Sequence, residues 1–181
     1  MDSSKYDYLF SQYAEGFDIP FAWLKGIAQA ESSLNPRAYR YEAKINDASY
    51  GLMQILYGTA KGLGYDGPAE GLYDPDTNVA LGAQLISDLI NRYGLDFNAV
   101  YSAYNSGSPT LYRRSSQVQN NVTRAWNFVD KILESVVYDV EQTESEISDI
   151  LQSQGIDPMW IYAGIGIMFL LAISNRKGVI A

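Results

Sequence analysis

"FAWLKGIAQAESSLNPRA", residues 21–38, is an apolar helical pattern that ends on a charge. Asp18 and Pro20 give cap and first-turn signals, so a helix is expected over roughly 20–32, and Asn35-Pro36 prevents it from continuing. On a helical repeat Trp23, Leu24, Ile27 and Ala28 share a face, and Glu31 falls on it three or four positions beyond Ile27 and Ala28. A carboxylate is seldom set among apolar side chains without a partner or a purpose. Partial desolvation there raises its pKa, which is what a general acid needs to keep its proton near neutral pH. The plainer alternative has Glu31 reaching into solvent beside Lys25 or Arg37.

Helical periodicity continues around this segment, and strand alternation is scarce. Further helices are expected over 3–15, over "GLMQILYGTAKGLG" with a glycine stop, from an Asp76-Thr77 cap to Tyr93, in "FNAVYSAYN" behind an Asp96 cap, and over 120–138. The last carries Val122, Trp126, Val129, Ile132, Leu133 and Val136 on one side. Residues 37–50, 64–75 and "SGSPTLYRRSSQVQNN" read as loops. The expected fold class is all-α.

Composition narrows the chemistry. The 181 residues include neither cysteine nor histidine, which excludes thiol nucleophiles, Ser-His and Cys-His catalysis and Cys/His zinc sites. Acid–base work near neutral pH falls to Asp, Glu, Lys or Tyr. The net charge of −8, from 13 basic and 21 acidic residues, argues against a nucleic-acid partner. Fifteen tyrosines suit a surface that grips polar ligands such as carbohydrate with apolar faces.

Three short motifs follow one another: "ESSLNP" from Glu31, "GLMQI" from Gly51 and "AYNSG" from Ala103. In that order and spacing they resemble the lytic transglycosylases that cleave peptidoglycan, relatives of goose-type lysozyme, across roughly residues 18–134. The resemblance implies a lysozyme-like helical domain in which Glu31 is catalytic and Gly51, Gln54, Tyr104, Asn105 and Arg40 contact substrate. Gly51 would let backbone approach the ligand closely, and the Gln54 amide would meet sugar hydroxyls and acetamides. Tyr104 would hydrogen-bond a carboxyl or stack on a sugar, and Asn105 would hold a second sugar contact.

The match departs from the family in three places. The gap between Glu31 and Gly51 is longer than in typical members, Arg40 stands where many have a serine, and Phe128 replaces a tyrosine near the domain's end. The implied reaction cleaves the bond between N-acetylmuramic acid and N-acetylglucosamine with 1,6-anhydro ring closure, with no metal and no cofactor. Two alternatives stay open. Glu42 or Asp47 in the lengthened loop would position a water and make the protein a muramidase, or the domain would be an inactive peptidoglycan-binding module.

Beyond Tyr138 the character changes. The expected organisation is a catalytic domain over 1–138, an acidic stalk over 139–158, a membrane-anchoring helix over 159–174 and a short basic tail over 175–181. The 15 residues from Met159 to Ile173 would span about 22 Å as helix, short of the ~30 Å hydrocarbon core, with flanking residues and local thinning closing the gap. Trp160 and Tyr162 suit one interface and Arg176-Lys177 the other. A tail helix packed on a partner protein is the alternative. The N-terminus lacks the pattern of a Sec signal peptide. A wall-cleaving enzyme with an anchor and no leader fits the membrane of a bacteriophage virion, acting on the host wall and periplasm, with a secretion or conjugation system next. The expected partners are therefore peptidoglycan glycan strands, a lipid membrane through 159–174, and neighbouring virion or envelope-complex proteins.

Overall fold

The computed structural model describes residues 4–153, which form six α-helices, two short 3-10 turns and a small antiparallel sheet. The chain divides into two compact units, residues 1–132 and 133–181.

In the first unit, α1 (Asp7–Gly16) packs on α2 (Phe21–Ser32) and on α4 (Pro75–Tyr93), and α4 packs on α5 (Phe97–Ser106). The apolar face read from the sequence is the core face of α2, with Leu24, Ile27 and Ala28 fully buried and Trp23 nearly so. Phe97 of α5 sits edge-on to Trp23 at 5.1 Å and against Trp126 of α6 at 4.9 Å, so one aromatic cluster ties three helices together. α6 runs from Ser116 to Ser153, and its first turns bury Val118, Val122, Ala125 and Val129. It lies almost against the backbone of α2, where a Cβ added at Gly26 would come within 2.5 Å of Val129 Cγ2.

Several expectations are corrected. α2 ends before Asn35-Pro36 acts, because Ser33 and Leu34 both adopt left-handed conformations, at φ 55° and 58°. Residues 37–50 are a hairpin: β1 (Tyr39–Glu42) pairs with β2 (Asp47–Tyr50), which pairs with β3 (Ile55–Leu56). The fold is thus mostly helical with a three-stranded sheet. Strands this short, one of them almost wholly exposed, leave no alternation to read. "GLMQ" is a turn leading into β3, and the helix after it, α3 (Tyr57–Gly62), starts six residues late. α4 is capped by Asp74, whose Oδ1 accepts from Thr77 N–H at 2.9 Å, and not by Asp76. The Asp96 cap and the Gly107 stop of α5 are as expected.

In the second unit the described residues are the distal part of α6, helical to Ser153 with Val136, Val140, Ile147 and Ile150 exposed. The first part of the expected stalk is therefore helix. Its last residues, the anchor over 159–174 and the basic tail lie outside the described residues. Among the described residues no helix is long and apolar enough to cross a membrane.

Candidate active site

The last turn of α2 brings Glu31 to a cleft of about 700 Å³. One side is the hairpin, with Arg40, Glu42, Lys44 and Ile45. The other is helical, with Leu85 and Leu89 of α4 and Tyr104 and Asn105 of α5. The volume suits a bound ligand of several hundred Å³.

Glu31 is half-buried, and neither Lys25 nor Arg37 draws it into solvent. Lys25 is paired with Asp7 at 2.8 Å, and the Arg37 guanidinium lies over the Tyr73 ring. Burial holds the Glu31 carboxyl above its ordinary range, while hydrogen bonding from Tyr101, the charge of Arg40, hydrogen bonding from Asn105 and the charge of Arg124 pull the other way. Desolvation wins. The result is a carboxyl biased toward its protonated form at the edge of a cleft.

The three motifs interlock behind this carboxyl. Ser32 Oγ donates to Leu52 O at 2.7 Å, and Tyr104 Oη donates to Met53 O at 2.5 Å, so the first and third motifs both grip the second. Asn78 of α4 completes the knot from complete burial. Its Oδ1 accepts from Met53 N–H at 2.7 Å, and its Nδ2 donates to Tyr50 O and Leu72 O.

This arrangement gives several of the expected site residues partners within the protein. Gly51 is buried and away from the cleft. Its φ of +75° and its approach to Leu72 O and Asn78 Nδ2, within 2.6 Å of any added Cβ, account for the glycine by internal packing. Gln54 lines the cleft, but its Nε2 donates to Ala38 O and Gly51 O and its Oε1 accepts from Ser49 Oγ, so the amide chiefly pins the loop. Tyr104 borders the cleft with its hydroxyl on Met53 O, not on the carboxyl. Arg40 is exposed and its Nε pairs with Glu42 at 2.5 Å. Asp47 faces away from this chemistry, since its carboxylate accepts from Ala48 N–H and Gly58 N–H and caps α3.

Tyr101 touches the acid directly, its hydroxyl donating to Glu31 Oε1 at 2.8 Å. Asn121 and Arg124 of α6 also bear on the site. Asn121 Nδ2 donates to Asn105 Oδ1 at 3.0 Å, which turns the Asn105 amide nitrogen toward Glu31. Helical spacing was the available signal for Tyr101, one turn before Tyr104 on α5; nothing local in the sequence marks Asn121 or Arg124. Among the described residues no cluster of acidic side chains could hold a metal ion.

A half-buried carboxyl biased toward its protonated form, at a cleft on a mostly helical domain, defines the setting of a general acid. Residues 8–127 match the transglycosylase SLT domain family, and the chain belongs to that family. It is 33% identical over 109 residues to the soluble lytic murein transglycosylase of Escherichia coli, covering 56% of this chain and 16% of that protein. It is 39% identical over 83 residues to the transglycosylase of Enterobacteria phage PRD1, covering 46% of this chain and 28% of that protein. The solved 70 kDa soluble lytic transglycosylase of Escherichia coli superposes with a TM-score of 0.58 at 25% identity, covering 70% of this chain and 24% of that one. The chain spans less than a third of the length of each of these proteins.

Proposed function

We propose that the protein is a peptidoglycan lytic transglycosylase acting through Glu31. Protonated Glu31 gives its proton to the glycosidic oxygen between N-acetylmuramic acid and N-acetylglucosamine as the bond to the muramic anomeric carbon breaks. The substrate's own acetamide, or the electrostatics of the site, supports the oxocarbenium-like intermediate. The Glu31 carboxylate then takes the proton of the muramic 6-hydroxyl as that oxygen closes on the anomeric carbon. This forms the 1,6-anhydro ring and restores the acid without consuming water. The observation that carries the reading is the Glu31 carboxyl, held protonated-biased by burial at the cleft. Tyr104 and Asn105 at the cleft edge, with Arg40 opposite, remain the proposed substrate contacts.

Hydrolysis by a second carboxylate is the other reading. Most glycosidases use two, and Glu42 lines the cleft while Asp47 is committed to its cap. Mass spectrometry of cell walls digested by the wild type and by Glu31→Gln decides. The expected fragments carry anhydro ends, lighter by one water than hydrolysed ones, and Glu31→Gln is expected to lose roughly 10²–10⁴-fold in rate. Chiefly hydrated ends would make the protein a muramidase. A Glu31→Gln variant with more than a tenth of the wild-type rate would remove Glu31 as the acid.

We further propose that residues 1–138 act as the catalytic domain, tethered through the acidic segment 139–158 to an anchor at 159–174. The setting proposed is a phage virion that opens the host wall during infection. The apolar run itself and the likeness to a phage transglycosylase support this.

A further inference from the structure

We infer that the face of the hairpin turned away from the cleft is a second glycan-binding site, an aromatic platform of Tyr39, Tyr41, Tyr50 and Tyr73 with Arg37 at its end. The choice of peptidoglycan glycan as its ligand rests on the reading of the cleft as a peptidoglycan site.

Strand alternation separates the two faces of the sheet. Arg40 of β1, Ser49 of β2 and Leu56 of β3 stand opposite one another, and all three line the cleft. Tyr39 and Tyr41 lie on the other side of β1, Tyr50 faces Tyr39 across the pair, and none of the four tyrosines lines the cleft. Three of the rings are joined in a row. Tyr39 meets Tyr50 edge-on at 5.3 Å and 68°, Tyr50 meets Tyr73 at 5.3 Å and 75°, and the Arg37 guanidinium lies 5.5 Å from the Tyr73 centroid. Beside them Tyr41 is held by its hydroxyl, which donates to Asn46 Oδ1 at 2.7 Å. Tyr39 and Tyr41 are 55% and 54% exposed, and Tyr50 and Tyr73 are half-buried.

Single exposed aromatics need no explanation, but a contiguous group of them marks a contact surface. The chemistry of this one is that of a sugar's complement. It offers apolar ring faces next to the hydroxyls of Tyr39, Tyr50 and Tyr73, which no protein group bonds among the described residues, and next to one guanidinium. A pyranose presents a C–H face to stack on such rings, with hydroxyls and an acetamide carbonyl to accept from the donors beside them. Tyr39 and Tyr41 are two residues apart on one strand face, about 7 Å, which lets them meet neighbouring sugars of one chain. Tyrosine is also concentrated here: the cleft is lined by two, Tyr93 and Tyr104, and this face carries four.

The platform is continuous with the cleft, because the same strands wall both. β1 is the edge of the sheet, so a polymer leaving the cleft, or a neighbouring strand of the wall, reaches the back face around an edge that no further strand covers. The platform thus holds the protein on the wall while the cleft releases one bond and takes the next.

The test is co-sedimentation of the full-length protein in detergent with purified peptidoglycan sacculi, in a Glu31→Gln background that keeps the walls intact. Tyr39→Thr with Tyr41→Thr, which preserves strand propensity, is compared with Tyr8→Ala, a control whose side chain is 67% exposed on α1. The double variant is expected to raise the dissociation constant about tenfold, and Tyr8→Ala to leave it in place. Absence of binding by the Glu31→Gln protein, binding unmoved by the double substitution, or an equal loss in Tyr8→Ala would each overturn the platform. So would a dimer seen by sedimentation velocity that the double variant dissolves while sacculus binding stays intact, since the face would then join two copies of the chain. Wild-type lysis is followed in parallel. If wild type lyses walls and the double variant binds them unchanged, the platform falls while the proposed function stands. If wild type does not lyse walls, that function falls, and the binding comparison still decides the platform. Should the double variant fail to fold, Arg37→Gln carries the decision, and sacculus binding unchanged there overturns the platform.

Discussion

The inner knot of the three motifs and the outer hairpin face the same cleft from opposite physical regimes. In the knot, Asn78 is fully buried and satisfied on three backbone groups, and Ser32 and Tyr104 each close on a carbonyl of the 51–54 turn. In the hairpin, Tyr39, Tyr41 and Ile45 are all more than half exposed, and the Arg40–Glu42 pair lies open to water. Buried polar groups hold geometry because an unmet partner is costly, whereas exposed pairs contribute little and adapt. Glu31 thus stands on the stiff side, and the opposite wall of the cleft is soft.

The contrast can be broken at its stiffest point. Asn78→Ala strands the Met53 N–H and the Tyr50 and Leu72 carbonyls in the core, and is expected to cost about 3–5 kcal/mol, read as a lower urea midpoint. A loss below about 1 kcal/mol would mean the motifs do not depend on this side chain.

A smaller effect sharpens the cost of the acid itself. Because burial raises the Glu31 pKa, its contribution to stability is full below the unfolded-state pKa and lost as pH rises through the folded one. At neutral pH the unfolded carboxyl is ionised and folding must desolvate or protonate it, which opposes folding, so Glu31→Gln is expected to raise the melting temperature at pH 7, by the equivalent of about 1 kcal/mol. Near pH 4 the gain should shrink toward zero. An equal gain at both pH values would assign it to something other than ionisation.

The smallest effect is expected in the hairpin. Ile45→Ser at the exposed tip is expected to change stability by less than about 0.5 kcal/mol. A loss above about 1 kcal/mol, measured by the same urea titration, would show that the hairpin is framework.

The same contrast explains what the sequence could disclose. Helices with caps were readable because their signals are local: Asp96 and Gly107 bracket α5 as expected, and the buried face of α2 follows from its repeat. The hairpin was not, since β1 exposes three of its four residues and carries no alternation. Glu31 could be picked out from its helix, and the motifs from their order. Which motif residues look outward could not be read. Gly51 and the Gln54 amide were expected on the ligand, and the structure ties them to partners 16 to 27 residues away or more locally, while Tyr101 reaches Glu31 across 70 residues. Such pairings are properties of the packed chain, and no short window contains them.

The tight crossing at Gly26 and Val129 has a consequence for the order in which the protein is made. Glu31 leaves the ribosome 93 residues ahead of Arg124, about 5–20 s at ordinary elongation rates (124 − 31 = 93). Through that interval the nascent chain has the acid without Asn121 to turn Asn105 or the charge of Arg124 to bear on the carboxyl. A chain stalled or cut short before the start of α6 would carry every motif of the family and still lack the setting of its acid.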